Sequence, residues 1–231
     1  MKTTAITASF FVIVATIASC SSSGDTSVNP PAGTPSIITT PVSSAPISTV
    51  STPQQSFIYE SVLYTLGSKG PGGGTVYYIA QSPFACGPEL ENECSALEAA
   101  PTESEVRRGW ANTDLLDKPV DGADGTEIGT GYRNTRDIIR QGSVESSASG
   151  AAYADAYIHG SKDDWYLPAK DEFLEMYKQS ELIGGFSIAD YWSSSEEASN
   201  QAWSQFFFNN HPPLLHPKNH YTHYIRPIRA F

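Results

Sequence analysis

The sequence has few cysteines, little positive charge and no apolar run long enough to cross a membrane. Its three cysteines are Cys20, Cys86 and Cys94, so the C-terminal part offers no thiol pair. Lys and Arg total 14 against 25 Asp and Glu, and the formal net charge is −11. This balance excludes a broad nucleic-acid-binding face. The apolar stretch at 10–17 is shorter than the roughly 20 residues that a spanning helix needs.

The N-terminus instead has the order of a secretion signal. Lys2 precedes the apolar stretch, and Ala18 and Ser19 precede Cys20. This pattern predicts a signal peptide over residues 1–19 that is removed from the mature protein. The segment 17–20 resembles the bacterial lipobox, which implies lipidation of Cys20; an ordinary secreted protein with a chance cysteine is the alternative. Ser21, rather than Asp, after the cysteine resembles lipoproteins sent to the outer membrane.

These features predict where the protein is located and that it contacts the membrane. We expect a lipid-anchored protein of the cell envelope, at the outer membrane or the extracellular surface, with the membrane as its first partner. Residues 20–55 are rich in Ser, Thr and Pro and have no aromatic side chain. Such a segment buries too little surface to offset its ordering entropy, so it predicts a disordered stalk. Residues 56–231 are long enough for one domain with a substantial core.

Cys86 and Cys94 enclose a short polar loop. In an oxidising compartment they are predicted to form a disulfide, with a chain-entropy contribution of about 2.5 kcal/mol. A two-cysteine metal site is the alternative, although zinc prefers four ligands and no histidine lies nearby in sequence. We therefore favour the disulfide.

The domain alternates strand-like and helix-like patterns. The glycine cluster at 70–74 lacks the Gly-Lys-Ser/Thr ending of a phosphate loop and predicts a turn before a strand at 75–80. Apolar spacing predicts three helices, at 134–141, 148–158 and 170–179. Aromatic-rich runs predict a meander of strands at 190–194, 202–208 and 224–231.

Several short motifs then occur in one order and carry a family resemblance. They are Gly70-Pro71-Gly72-Gly73-Gly74-Thr75-Val76, Ile128-Gly129-Thr130-Gly131-Tyr132, Asp164-Trp165-Tyr166-Leu167-Pro168 with Lys170-Asp171-Glu172, Tyr191-Trp192-Ser193-Ser194-Ser195-Glu196, Ala202-Trp203, and Ile225-Arg226-Pro227-Ile228-Arg229-Ala230-Phe231. Together they cover nearly all of residues 70–231. The chain is similar to the Lcl C-terminal domain family, named after the C-terminal domain of a collagen-like bacterial adhesin.

The resemblance implies an α+β domain with a C-type-lectin-like fold, two to three helices and a twisted, mostly antiparallel sheet. It also implies that the first and last strands lie side by side, and an oligomer is compatible with it, although no Gly-X-Y repeat is present to drive trimerisation. Two departures stand out. Ala169 replaces a serine that would cap the third helix, at a cost of about 1 kcal/mol, and Asn210 replaces a glycine at a turn.

Eight motif residues are interpreted as structural. They are Trp165, Pro168, Glu172, Trp192, Glu196, Trp203, Arg226 and Arg229. The two arginines could hold an anionic ligand, but guanidinium groups also lock onto carboxylates within a fold, with Glu172 or Glu196 as partners. We favour the internal pairing.

The loop at 209–223 is the predicted ligand-binding region, because it combines histidines with aromatic and basic side chains. The candidate residues are His211, His216, Lys218, His220, Tyr221 and His223. No cofactor is predicted; the alternatives are zinc on His216, His220 and His223, calcium in the acidic stretch 114–127, and a plain polar loop. Acidification is expected to charge the histidines and to strengthen binding of anionic glycans below about pH 6.5.

Function is expected to be non-catalytic binding of a glycan or protein, as in adhesion. Formylglycine-generating oxidases have a related fold, but their chemistry uses a C-terminal thiol pair, and this chain has no cysteine after Cys94. The alternative to a surface adhesin is a structural envelope lipoprotein that contacts other envelope proteins.

Overall fold

The structure, a computed structural model, describes residues 54–145, 147–219 and 222–231. The predicted signal peptide, Cys20 and the stalk as far as residue 53 lie outside the described residues, as do His220 and Tyr221. All described residues belong to one compact unit that spans Val50–Phe231. Within that part of the chain, every helix is too short or too polar to cross a membrane.

The described residues form ten strands and four α-helices. The strands are β1 (Ser56–Tyr59), β2 (Val62–Thr65), β3 (Thr75–Cys86), β4 (Asn92–Ala99), β5 (Val106–Arg108), β6 (Asp190–Ala198), β7 (Gln201–Phe206), β8 (Leu214–Pro217), β9 (His223–Ile225) and β10 (Ile228–Ala230). The helices are α1 (Gly131–Arg140), α2 (Gly150–Asp155), α3 (Lys170–Lys178) and α4 (Ser180–Ile183). The predicted α+β class is confirmed.

The strands form three sheets, and most of their pairings are antiparallel. A hairpin joins β1 to β2, a three-stranded sheet has the order β10-β4-β3, and a curled five-stranded sheet has the order β5-β9-β6-β7-β8. Strands β6 and β7 pair as the predicted meander requires, but its third strand is wrong: β8, within the loop predicted at 209–223, pairs with β7, and β9 of the predicted third run pairs with β6 in parallel on its other side. The resemblance placed the first and last strands together, but β10 pairs with β4 and β1 pairs only with β2.

The three predicted helices are present, with differences at their ends. The helix predicted at 134–141 begins three residues earlier as α1, and the one predicted at 148–158 is the shorter α2. Helix α3 matches the predicted 170–179 to within one residue. Helix α4 was not predicted, because a single turn is too short to show an apolar periodicity.

The last aromatic run, predicted as one strand at 224–231, is broken into β9 and β10. The break falls at Arg226 and Pro227. Proline has no backbone N–H to donate to a ladder. Arg226 turns its guanidinium inward, where Nε donates to the Ala100 carbonyl at 2.6 Å and Nη1 contacts Glu105 Oε1 at 2.8 Å. The chain therefore passes from the five-stranded sheet to the three-stranded sheet at this point.

Three apolar clusters fill the interior. The first contains Trp110, Trp192 and Ile225 of the five-stranded sheet region, packed with α1 and α2 residues. The second, around Phe173 and Tyr191, joins α3 to both larger sheets. The third packs Phe231 against aromatic side chains of the β1–β2 hairpin. The fold thus connects its layers through aromatic contacts, as the strand-rich aromatic pattern predicts.

The Cys86–Cys94 disulfide is present, as predicted, and it links the end of β3 to β4. The glycine cluster is a turn, also as predicted, and it has a further role. Gly72 N–H and Gly74 N–H each donate to the buried Glu98 carboxylate at 2.8 Å. A Cβ atom at Gly74 would lie 2.5 Å from the Ala99 carbonyl oxygen, so only glycine fits there.

Ala169 and Asn210, the two departures noted in the sequence, lie at the start of α3 and at a left-handed turn. Ala169 caps α3 without a side-chain hydrogen bond, and Glu172 Oε2 instead accepts from the Ala169 N–H at 2.7 Å. Only half of a capping box is therefore present. Asn210 has a φ of 53° and Asn209 a φ of 55°, so asparagine supports the left-handed turn as expected.

Candidate functional site

Three metal-ligating side chains converge at one end of the five-stranded sheet. Asp190 begins β6, His216 lies in β8 and His223 begins β9. One ligand atom from each of the three lies within 4.8 Å of the others. Among the described residues, no other group of three or more His, Cys, Asp or Glu side chains converges in this way, and the acids at 114–127 form none.

The curl of the sheet creates this cluster. In the order β9-β6-β7-β8, three strand spacings separate the two histidine-bearing strands. In a flat sheet, the backbones of these two strands would lie about 14 Å apart. Here His223 Nε2 and His216 Nδ1 lie only 3.0 Å apart. Both imidazoles pack on buried Trp192, with ring centroids at 4.1 Å for His223 and 6.2 Å for His216. Trp192 therefore forms the apolar floor of the cluster.

Hydrogen bonding within the cluster is uneven. His216 Nδ1 lies 3.0 Å from Ser204 Oγ as well as 3.0 Å from His223 Nε2, and the tautomers decide which group donates. Asp190 differs from the histidines. Its Oδ1 is buried and has no hydrogen-bond partner within the described residues. A buried oxygen without a partner is costly, so this atom calls for an explanation.

Burial also sets the electrostatics of the cluster. Burial, together with smaller contributions from His216 and Arg107, lowers the pKa of His223 to about 3. Burial raises the pKa of Asp190, while His216 and His211 oppose that shift. The expectation that acidification charges the histidines therefore fails for His223, which stays neutral well below pH 6.5 because its ring is desolvated.

A cleft of about 730 Å³ opens beside the cluster. Its wall carries the Arg107 guanidinium, the Tyr224 and Phe206 rings, and Ile188. Arg107 lies over the Tyr224 ring at 5.6 Å and donates to the Thr222 carbonyl at 2.7 Å. The cleft thus offers one cation, two aromatic faces and the polar cluster, all on strands or their ends.

The predicted binding residues of the 209–223 loop do not all share this cleft. His211 is exposed and lines a separate cavity of about 950 Å³, with Tyr177, Leu182 and Pro213 among its neighbours. Gln205 Nε2 donates to the His211 carbonyl at 2.9 Å, which fixes the loop backbone. His216 and His223 are brought together as the zinc hypothesis requires, whereas His220 and Tyr221 lie outside the described residues.

Lys218 is placed differently from its predicted ligand-binding role. Its side chain is buried, and its ammonium contacts Glu196 Oε1 at 2.6 Å. It also donates to the Lys118 carbonyl at 2.9 Å and lies 4.5 Å from the centre of the Trp110 ring. A lysine desolvated in this way needs its carboxylate partner, so Lys218 belongs to the interior rather than to a binding surface.

Arg226 and Arg229 bind internal carboxylates, but the partners differ from those predicted. Arg226 pairs with Glu105 at 2.8 Å, and Arg229 pairs with Glu98 at 3.2 Å and with Asp164. Neither arginine contacts Glu172 or Glu196 in these pairings. The sequence could not identify these partners, because Glu105 lies 121 residues from Arg226 and Glu98 lies 131 residues from Arg229 along the chain.

Glu172 and Glu196 have their own partners. Glu172 accepts from Gly129 N–H at 2.9 Å, Ala169 N–H at 2.7 Å and Tyr166 Oη at 2.9 Å. Burial raises the pKa of Glu172 to about 7, and these hydrogen bonds oppose the shift. Glu196 accepts from Lys218 and from the Val120 N–H at 2.8 Å. We call Glu98, Glu105, Glu172 and Glu196 the carboxylate frame.

The motif residues interpreted as structural are mostly interior. Trp165, Pro168 and Trp192 are buried. Trp203 is partly exposed; its Nε1 donates to Glu197 at 3.0 Å, and the Lys170 ammonium lies 4.7 Å from its ring. Sequence reasoning missed two residues of the cleft, Asp190 and Arg107. Asp190 begins β6 and Arg107 is the middle residue of β5, and no local spacing connects either of them to the histidines.

No protein-family model and no curated protein sequence matches the chain. The site offers a small cleft with aromatic walls, one exposed guanidinium and a cluster of two imidazoles and a carboxylate.

Proposed function

We propose that this protein is a lipid-anchored envelope lipoprotein whose C-terminal domain binds glycans or proteins without catalysing a reaction. The cleft beside Tyr224 carries this proposal. Its volume lies in the range of ligand sites, and rings on rigid strands supply stacking surfaces for sugars. The motif resemblance to the Lcl C-terminal domain family and its C-type-lectin-like fold points to the same class of function.

The lipid anchor at Cys20 and the stalk to residue 55 complete the proposal. A lipidated cysteine holds the chain at the outer membrane or the cell surface, and a Ser/Thr/Pro-rich stalk gives the domain reach. Protease added to intact cells is expected to remove the domain by cutting within the stalk. Protection from protease until the outer envelope is opened would overturn surface display and favour a periplasmic position.

Ligand binding is tested with the full chain in detergent on an array of neutral and anionic glycans. Arg107→Ala removes the exposed cation of the cleft and is expected to weaken an anionic glycan about tenfold or more. Arg108→Ala is the matched control, because successive strand residues face opposite sides and Arg108 lies over Tyr153 at 5.4 Å. Equal effects of the two substitutions, or no binding at all, would contradict the glycan proposal.

The structural envelope lipoprotein is the second candidate, and one observation favours it. The β1–β2 hairpin, which directly follows the stalk, exposes Ile58 by 71% and Leu63 by 61%. Exposed apolar side chains side by side are typical of protein contacts. Crosslinking from Leu63 to an envelope protein in cells, together with an empty glycan array, would favour this candidate over the first.

A further inference from the structure

We propose that Asp190, His216 and His223 bind a divalent transition-metal ion of the zinc class at the base of the cleft. Imidazole nitrogens and a carboxylate oxygen are the ligands of such ions, whereas calcium takes six to eight oxygens. The residues come from three separate strands, β6, β8 and β9. The site would therefore be a property of the folded domain rather than of the histidine-rich loop.

The spacing of the two imidazoles fits an ion. Two nitrogens bound to a tetrahedral zinc ion lie about 3.3 Å apart, since each Zn–N bond is about 2.0–2.1 Å. His216 Nδ1 and His223 Nε2 already lie 3.0 Å apart. With the Asp190 oxygen within 4.8 Å of both, small side-chain movements bring all three ligand atoms to bonding distance.

The unpartnered oxygen of Asp190 is the second observation. In the carboxylate frame, every carboxylate accepts from at least two groups, as Glu196 does from Lys218 and Val120. Asp190 Oδ1 is buried with no such donor in the described residues. A cation at the cluster would satisfy this oxygen and would offset the cost of its burial.

The surroundings also suit an ion. Trp192 packs beneath both imidazoles and excludes water from one side. Apolar surroundings strengthen the attraction between an ion and its ligands. Three protein ligands leave at least one coordination position for water or for an atom of a ligand in the cleft. With Arg107 nearby, the loaded cleft would carry positive charge in a chain of net charge −11.

This site does not depend on glycan binding, because the ligands and the ion alone define it. The full chain, purified in detergent without a polyhistidine tag and stripped with EDTA, is titrated with zinc chloride by calorimetry. We expect one ion per chain. Cobalt(II) in place of zinc is expected to give the intense visible absorption of a four-coordinate ion with nitrogen ligands, a readout that does not require any activity.

The variants identify the ligands. His216→Ala and Asp190→Asn are each expected to weaken zinc binding at least about tenfold. His211→Ala is the matched control, because it removes an exposed histidine of the same loop that lies outside the cluster, and it should leave the affinity unchanged. Near-ultraviolet circular dichroism in EDTA checks that each variant is folded. Asp190→Asn is nearly isosteric and remains informative if His216→Ala does not fold.

Two results would overturn the proposal. One is the absence of a stoichiometric zinc isotherm for the folded chain. The other is an isotherm that His216→Ala and Asp190→Asn leave unchanged, which would place the ion elsewhere.

Discussion

The carboxylate frame and the cluster of Asp190, His216 and His223 differ in how many partners their buried carboxylate oxygens have. Each carboxylate of the frame has several partners, such as the glycine N–H groups and Arg229 around Glu98. Asp190 of the cluster has a buried oxygen with none in the described residues. Buried polar groups with complete hydrogen bonding stabilise one arrangement of the chain, whereas an incomplete group remains able to bind something else. The contrast distinguishes the four carboxylates of the frame from Asp190.

The largest expected effect is at the frame. Arg229→Met keeps the aliphatic stem but leaves Glu98 buried without its cation, and the free energy of unfolding should fall by about 3–5 kcal/mol. Urea denaturation followed by tryptophan fluorescence measures this change. Arg136→Met is the control, since it removes an exposed pair with Asp155 and should cost no more than about 1 kcal/mol. Equal losses of unfolding free energy in the two variants would show that the buried pair stabilises the fold no more than the exposed pair does.

The second effect concerns pH. The pKa of Glu172 is about 7 in the fold and 4.5 in a free side chain, so the folded state holds the proton more tightly. Its contribution to stability is complete below about pH 4.5 and is lost as pH rises through 7. The total is on the order of 3 kcal/mol. Denaturation at several pH values should show the native chain losing stability relative to Glu172→Gln over this window, and parallel curves would contradict it.

The smallest effect is expected in the cluster. Asp190→Asn removes a charge whose burial raises its pKa, and in the described structure it breaks no hydrogen bond to Oδ1. In EDTA, the free energy of unfolding should therefore change by less than about 1 kcal/mol. Urea denaturation again provides the measurement. A loss of unfolding free energy as large as that of Arg229→Met would show that Asp190 stabilises the fold as the frame does, and would contradict this prediction.

The sequence predicted the parts of this fold that depend on near neighbours. The disulfide, the glycine turn, helix α3 and the left-handed Asn210 each follow from a short stretch of residues. What it could not predict depends on which strands meet. The partners of Arg226 and Arg229, and the approach of Asp190 to the histidines, arise from a curled sheet order that no local spacing reveals.

The prediction from local sequence is also wrong for one side chain, that of Lys218, and the structure shows the reason. Lys218 lies among histidines in sequence, and this position predicts a ligand-binding role for it. In the fold, its ammonium is buried and contacts Glu196 and the Trp110 ring. A basic residue in a polar loop is thus a weak indicator of a binding surface when a buried carboxylate lies within reach.

The break between β9 and β10 has a consequence for the motions of the domain. A single short segment, from His223 to Ala230, supplies β9, which pairs in parallel with the central strand β6 beside the cleft, and then β10, an edge strand of the other sheet. Only Arg226 and Pro227 connect the two strands, so local opening of either sheet must displace the strand in the other sheet. The cleft and the disulfide-linked sheet should open as one cooperative unit, with their amide protons exchanging together rather than in sequence.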